Sequence, residues 1–167
     1  MYDTDDPLDS NPTRAGAEPR WAAPPTAKER GAVQRAVDRL LDELAPERAT
    51  GRAVRPPVPV ERHRTPRGCI LQAAAAAVSV SWFPDAADDA ALGELQIVAW
   101  RGVVSRPGSA HRVEGATVAR ERVLRPVEGG PAVWAWRAED GTVYDTDALV
   151  ASCLAMLEEQ MSVEGTG

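Results

Sequence analysis

The chain has 167 residues, of which 44% are hydrophobic and 26% charged, and it carries a formal net charge of −6. That length holds one domain with extensions and is ample for a single core. The acidic balance argues against a broad nucleic-acid surface, and no run approaches the roughly 18 apolar residues that a membrane span needs.

Residues 1–25 are rich in Asp, Pro and Ala and show no apolar periodicity, so they read as a disordered tail. The segment MYDTDDPLDS is acidic, with no basic start and no apolar stretch behind it, and a cytoplasmic location follows by default. Trp21 is either incidental there or a docking anchor. The tetrapeptide Tyr-Asp-Thr-Asp occurs at 2–5 and again at 144–147, which the composition explains as coincidence.

Residues 26–45 form the clearest helix. Thr26 and Glu29 have the spacing of a capping box, in which each side chain satisfies the other residue's backbone N–H. Val33, Val37, Leu40, Leu41 and Leu44 fall on one apolar stripe, and Pro46 ends the pattern. A lone helix of this length is marginal in water, so the stripe must be buried against something. It packs on its own domain or serves as the anchor for a partner, either another protein or a second copy.

Residues 46–67 hold five prolines among Arg48, Arg52, Arg55, Arg62, Arg64 and Arg67, the pattern of an extended, solvated linker. Arg52, Arg55, Arg62 and Arg64 would add electrostatic attraction to a partner held by the helix.

The domain proper spans 68–163. Its first strand candidate is 69–83, in which the alternation of 78–83 favours strand over helix throughout. Read as one strand, it would place Ile70, Gln72, Val78, Val80 and Trp82 on one face. Asp85, Asp88 and Asp89 read as a solvated acidic loop, since a calcium loop needs more oxygen ligands in a defined order. Further strands are expected at 95–100 and 103–106. A polar strand at 117–127 takes an edge position because of Pro126. Val133–Ala138 and 142–144 form a hairpin around Asp140-Gly141, read as a two-residue type I′ turn. That register pairs Ala138 with Val143 and puts Trp134, Trp136 and Val143 on one face. Asp145 or Thr146 then caps a terminal helix with Leu149, Val150, Cys153, Leu154, Leu157 and Met161 on its apolar side. The expected fold is α+β: a small, mostly antiparallel sheet of four or five strands with the C-terminal helix across one face.

The chemistry-bearing residues are sparse. His63, His111, Cys69 and Cys153 match no metal-ligand spacing, so no metal and no cofactor is expected, and two buried free thiols suit the cysteines better than a disulfide. Ser105 and Ser109 lie near His111 without an orienting acid or an oxyanion hole, and no catalytic residue is assigned. There is no phosphate loop. Trp100, Arg101, Arg120 and Arg122 interleave an aromatic with arginines on strands, a pattern that sheets use to bind single-stranded nucleic acid. The reading is a non-catalytic accessory or regulatory module that binds another protein or itself. Single-stranded nucleic-acid binding through those four residues is the first alternative. An enzyme or small-ligand protein with a site assembled from distant residues is the second.

Overall fold

The computed structural model describes residues 23–46, 59–84, 91–104, 115–131 and 133–164. Helix α1 (Ala27–Leu44) is followed by strands β1 (Glu61–Thr65), β2 (Gly68–Ala73), β3 (Ala76–Phe83), β4 (Glu94–Arg101), β5 (Thr117–Gly130), β6 (Val133–Ala138) and β7 (Val143–Tyr144), and helix α2 (Thr146–Glu164) closes the order. The strands form one antiparallel sheet in sequence order, β1 to β7. The α+β class and the C-terminal helix agree with expectation, but the sheet has seven strands instead of four or five.

Both helices lie on the same face. α1 starts at the expected capping box: Thr26 Oγ1 accepts from the Glu29 N–H at 3.2 Å, and the Thr26 N–H donates to Glu29 Oε2 at 2.7 Å. The Thr26 hydroxyl, donating to Glu29 Oε2 at 2.7 Å, and the Thr26 N–H together hold the Glu29 carboxyl below its ordinary pKa. Val33, Val37, Leu40, Leu41 and Leu44 join one core with Cys69, Leu71, Val78, Val80, Leu95, Ile97, Leu124 and Trp136 of the sheet. From α2 come Leu149, Cys153, Met156 and Leu157. Asp145 caps α2, its Oδ1 accepting from the Ala148 N–H at 2.7 Å. Trp82 and Trp136 meet edge to face, ring centroids 6.0 Å apart, filling the space that phenylalanines fill elsewhere.

Three departures from the sequence reading have local causes. The stretch 69–83 is two strands, because the chain reverses at Ala74, whose φ is +49°. The Gln72 side chain braces that turn, donating to the carbonyls of Ala74 (2.8 Å) and Ala76 (3.0 Å). Ile70 and Gln72 therefore face away from Val78, Val80 and Trp82. In the second departure, β6 and β7 join through three residues, 139–141, with Gly141 at φ +86° and Asp140 Oδ1 accepting the Thr142 N–H. Val143 consequently pairs with Arg137 and Tyr144 with Trp136, a slip of one residue that turns Val143 away from the core. The third concerns Pro126, which is in an interior strand, opposite Trp136. It lies beyond the last β4 pairing, Leu95 with Leu124, so the missing N–H falls where β5 has a neighbour on one side only.

Candidate functional site

The apolar stripe of α1 is spent inside the molecule. Val33, Leu40 and Leu44 are fully buried, and Val37 and Leu41 nearly so. The expectation that these five residues anchor a partner is corrected on that ground: their hydrophobic surface already covers the sheet of the same chain.

The linker arginines are corrected with them where they are described. Residues 61–65 are β1, and on this strand Arg62 and Arg64 point toward α1. Arg62 Nη1 donates to the carbonyls of Leu44 (2.7 Å) and Glu43 (3.4 Å), and Arg64 pairs with Asp42 at 3.3 Å. α1 has no basic residue in its own last turn, so Arg62 provides the cation that the helix C-terminus favours. Arg62→Ala should therefore cost about 1–2 kcal/mol of stability, read from urea unfolding, by leaving those carbonyls without a charged donor. A change within error would mean that the contact contributes nothing. Arg52 and Arg55 lie outside the described residues, as do Trp21, Ser105, Ser109, His111 and the acidic loop at 85–89.

The four residues proposed for nucleic acid are divided between the two faces. Trp100 is half-buried on the face without helices, its Nε1–H donating to Ser79 Oγ at 2.9 Å. Arg101, Arg120 and Arg122 face the helices. Arg101 donates to Gln160 at 3.3 Å, Arg120 pairs with Glu159 at 3.7 Å, and Arg122 donates to Tyr144 Oη and Ser152 Oγ, both at 3.3 Å. Stacking on Trp100 and phosphate contact by these arginines thus cannot serve one strand of nucleic acid.

Two open grooves border α1. One, about 930 Å³, sets Lys28, Arg35 and Arg39 against Glu128, Asp145 and Asp147 over Trp134. Its walls are of opposite sign and largely cancel. The other, about 540 Å³, lies between α1 and the β1–β2 turn and includes Asp38, Arg64, Arg67, Trp82 and Phe83. Arg67 covers the Phe83 ring at 5.6 Å and Arg64 is held by Asp42. Among the described residues no three His, Cys, Asp or Glu side chains converge. Both cysteines are free and buried. Burial pushes the Cys69 thiol up to about 11, and burial, aided by the neighbouring Cys69, pushes Cys153 up to about 12, so neither offers a thiolate near neutral pH.

The remaining surface of note is the second face of the sheet, which neither helix covers. The strand registers place Ile70, Ser79, Val98 and Glu121 in one row across it, and Gln72, Ala77, Trp100 and Val118 in the next. Val123, Val127, Val133 and Val143 continue this face over β5 to β7. Val118, Val133 and Val143 are each more than half exposed. Its polar side chains are largely paired among themselves: Arg125 donates twice to Glu94 (2.9 and 3.1 Å), Gln96 donates to Glu121, and Trp100 to Ser79. At one end the backbone N–H of Val104 bonds Gln72 Oε1 at 3.0 Å. The valines were visible in the sequence, but their common face was hidden by the one-residue slip of the hairpin and by the turn at Ala74. Among the described residues no helix is long and apolar enough to cross a membrane. Set against protein-family models, curated proteins and solved structures, the chain matches none of them.

Proposed function

We propose that the chain is a non-catalytic accessory or regulatory module that binds another protein chain, and that it does so through the open face of the sheet. The observation that carries this reading is the placement of both helices on one face, which leaves Val118, Val133 and Val143 more than half exposed on the other. Apolar side chains left exposed on an uncovered sheet face are costly in water unless something covers them. On that face several polar groups are already bonded to one another: Arg125 to Glu94, Gln96 to Glu121 and Trp100 to Ser79. Those features suit contact with a protein surface better than capture of a small molecule.

The test compares tagged full-length protein with a Val133→Lys/Val143→Lys variant, both purified from native lysate and analysed by mass spectrometry. A protein retained by the parent and lost by an equally stable variant is the expected result. If the same proteins follow both forms in equal amount, the open face is not the contact.

A further inference from the structure

Resting on the reading of the open face as a protein-binding surface, we propose that its occupant is a second copy of this chain, packed face to face as a two-sheet sandwich.

Size is the first argument. Seven strands spaced by about 4.8 Å span about 29 Å, and six residues along each central strand add about 20 Å. Each copy would then cover about 600 Å², or about 1,200 Å² in total, the lower bound for a specific interface. Sheets packed this way sit about 10 Å apart and interdigitate side chains of valine and isoleucine size. Ile70, Val123 and Val127 are of that size, lie partly exposed on β2 and β5, and have the half-buried Trp100 on the same face, while Val98 between them is already buried.

Charge is the second. The chain carries −6, so two copies repel one another over most of their surface. On the open face Glu61, Glu94 and Glu121 are nearly balanced by Arg125 and Arg137, and Glu94 with Arg125 is already an ion pair. α2 presents Asp147, Glu158 and Glu159 on the opposite side of the molecule. The open face is therefore where two copies approach with little electrostatic cost. A strongly charged partner, by contrast, would find no opposing field there.

The edges of the sheet argue the same way. β1 reads Glu-Arg-His-Arg-Thr and β7 has two residues, so neither edge offers a long apolar strand for edge-to-edge pairing. A two-fold interface needs one self-complementary patch, and a near-neutral face whose acidic and basic side chains are nearly balanced around partly exposed valines meets that need.

The experiment is sedimentation equilibrium of the full chain over a concentration series from about 1 to 200 μM, a range that brackets small interfaces. The expected mass is twice the 17.9 kDa of one chain at the upper end. Val123→Arg and Val127→Arg, each placing like charges across the interface, should weaken the dimer at least about tenfold while circular dichroism melting stays unchanged. Arg35→Glu, on the outer side of α1, should leave it intact. As a second readout, Gln96→Cys on the central strand should cross-link through a short bis-maleimide, since both native thiols are buried. A single-chain mass at every concentration would overturn the dimer, as would a dimer unaffected by both arginine variants. Either result leaves the valine comparison in lysate free to decide whether the face binds a different protein.

Discussion

Replacing Leu40 with alanine should lower folding stability by about 2–5 kcal/mol. Leu40 is fully buried, in a core that α1 shares with the sheet and α2. Removing its three outer carbons forfeits their transfer energy and leaves a cavity that the sheet, held by its ladders, can close only in part. If α1 were a tethered helix standing free of the domain, the same change would be nearly neutral, because leucine and alanine differ little in helix propensity. Urea unfolding of the full chain, followed by tryptophan fluorescence and by circular dichroism, separates the two cases. A lower midpoint with coincident transitions and unchanged slope is expected. A loss below about 0.5 kcal/mol would show that α1 does not dock. The same argument bears on truncation: cutting the chain at residue 66 removes both α1 and β1, and leaves Leu71, Cys69 and Trp82 without their cover.

How far the sequence could be read depended on which physical signal each element carries. α1 was legible almost to the residue, because a 3.6-residue apolar period, a capping box and Pro46 all mark the same helix. Asp145 caps α2, and that N-cap was legible to within one residue, Asp145 or Thr146, because both carry a side-chain oxygen just ahead of the apolar period. β1 was not, since the residues it turns toward the helices are Arg62 and Arg64, and a strand whose inward side chains are charged lacks the apolar alternation that betrays strands. Those arginines looked like solvated linker, whereas their guanidinium groups fasten the end and last turn of α1. The turn at Ala74 escaped notice because a five-alanine run contains no glycine or asparagine. What permits the reversal is a hydrogen-bonding glutamine two residues earlier. For the candidate site the decisive unknown was parity. Trp100 and Arg101 are neighbours in sequence, and adjacent strand residues face opposite sides. The proposed aromatic–arginine surface was therefore split by the pleat itself. The hairpin was recognised, yet one extra loop residue reversed the side on which Val143 lies, and with it the identity of the exposed face.

Gly68→Ala should destabilise the protein by about 3 kcal/mol or more, well beyond an ordinary point substitution. Gly68 opens β2 directly after the turn and pairs with Thr65 on one side and Ser81 on the other. A Cβ there would run into the carbonyl oxygen of Val80, 2.8 Å from its carbon and 3.0 Å from the Ser81 Cα. All three are backbone atoms of β3, and β3 is held by β4 on its far side and by the Trp82 N–H to Arg67 carbonyl bond at 2.8 Å. Relief would require β2 and β3 to separate at the very end where α1 and β1 are attached. Two other glycines give the contrast that isolates this cause. Gly141 has φ +86° and open space around it, so alanine there meets backbone strain alone, about 1 kcal/mol. Gly31 lies within α1, where an added Cβ makes only an ordinary 3.6 Å contact with Arg35, and alanine should stabilise by about 0.5–1 kcal/mol through helix propensity. Thermal and urea denaturation of the three variants should thus rank Gly31→Ala above the parent, Gly141→Ala slightly below it and Gly68→Ala far below. A mild effect at Gly68 would mean that β2 and β3 do not approach as closely as their register requires, and the two-residue turn at Ala74 that sets that register would have to be redrawn.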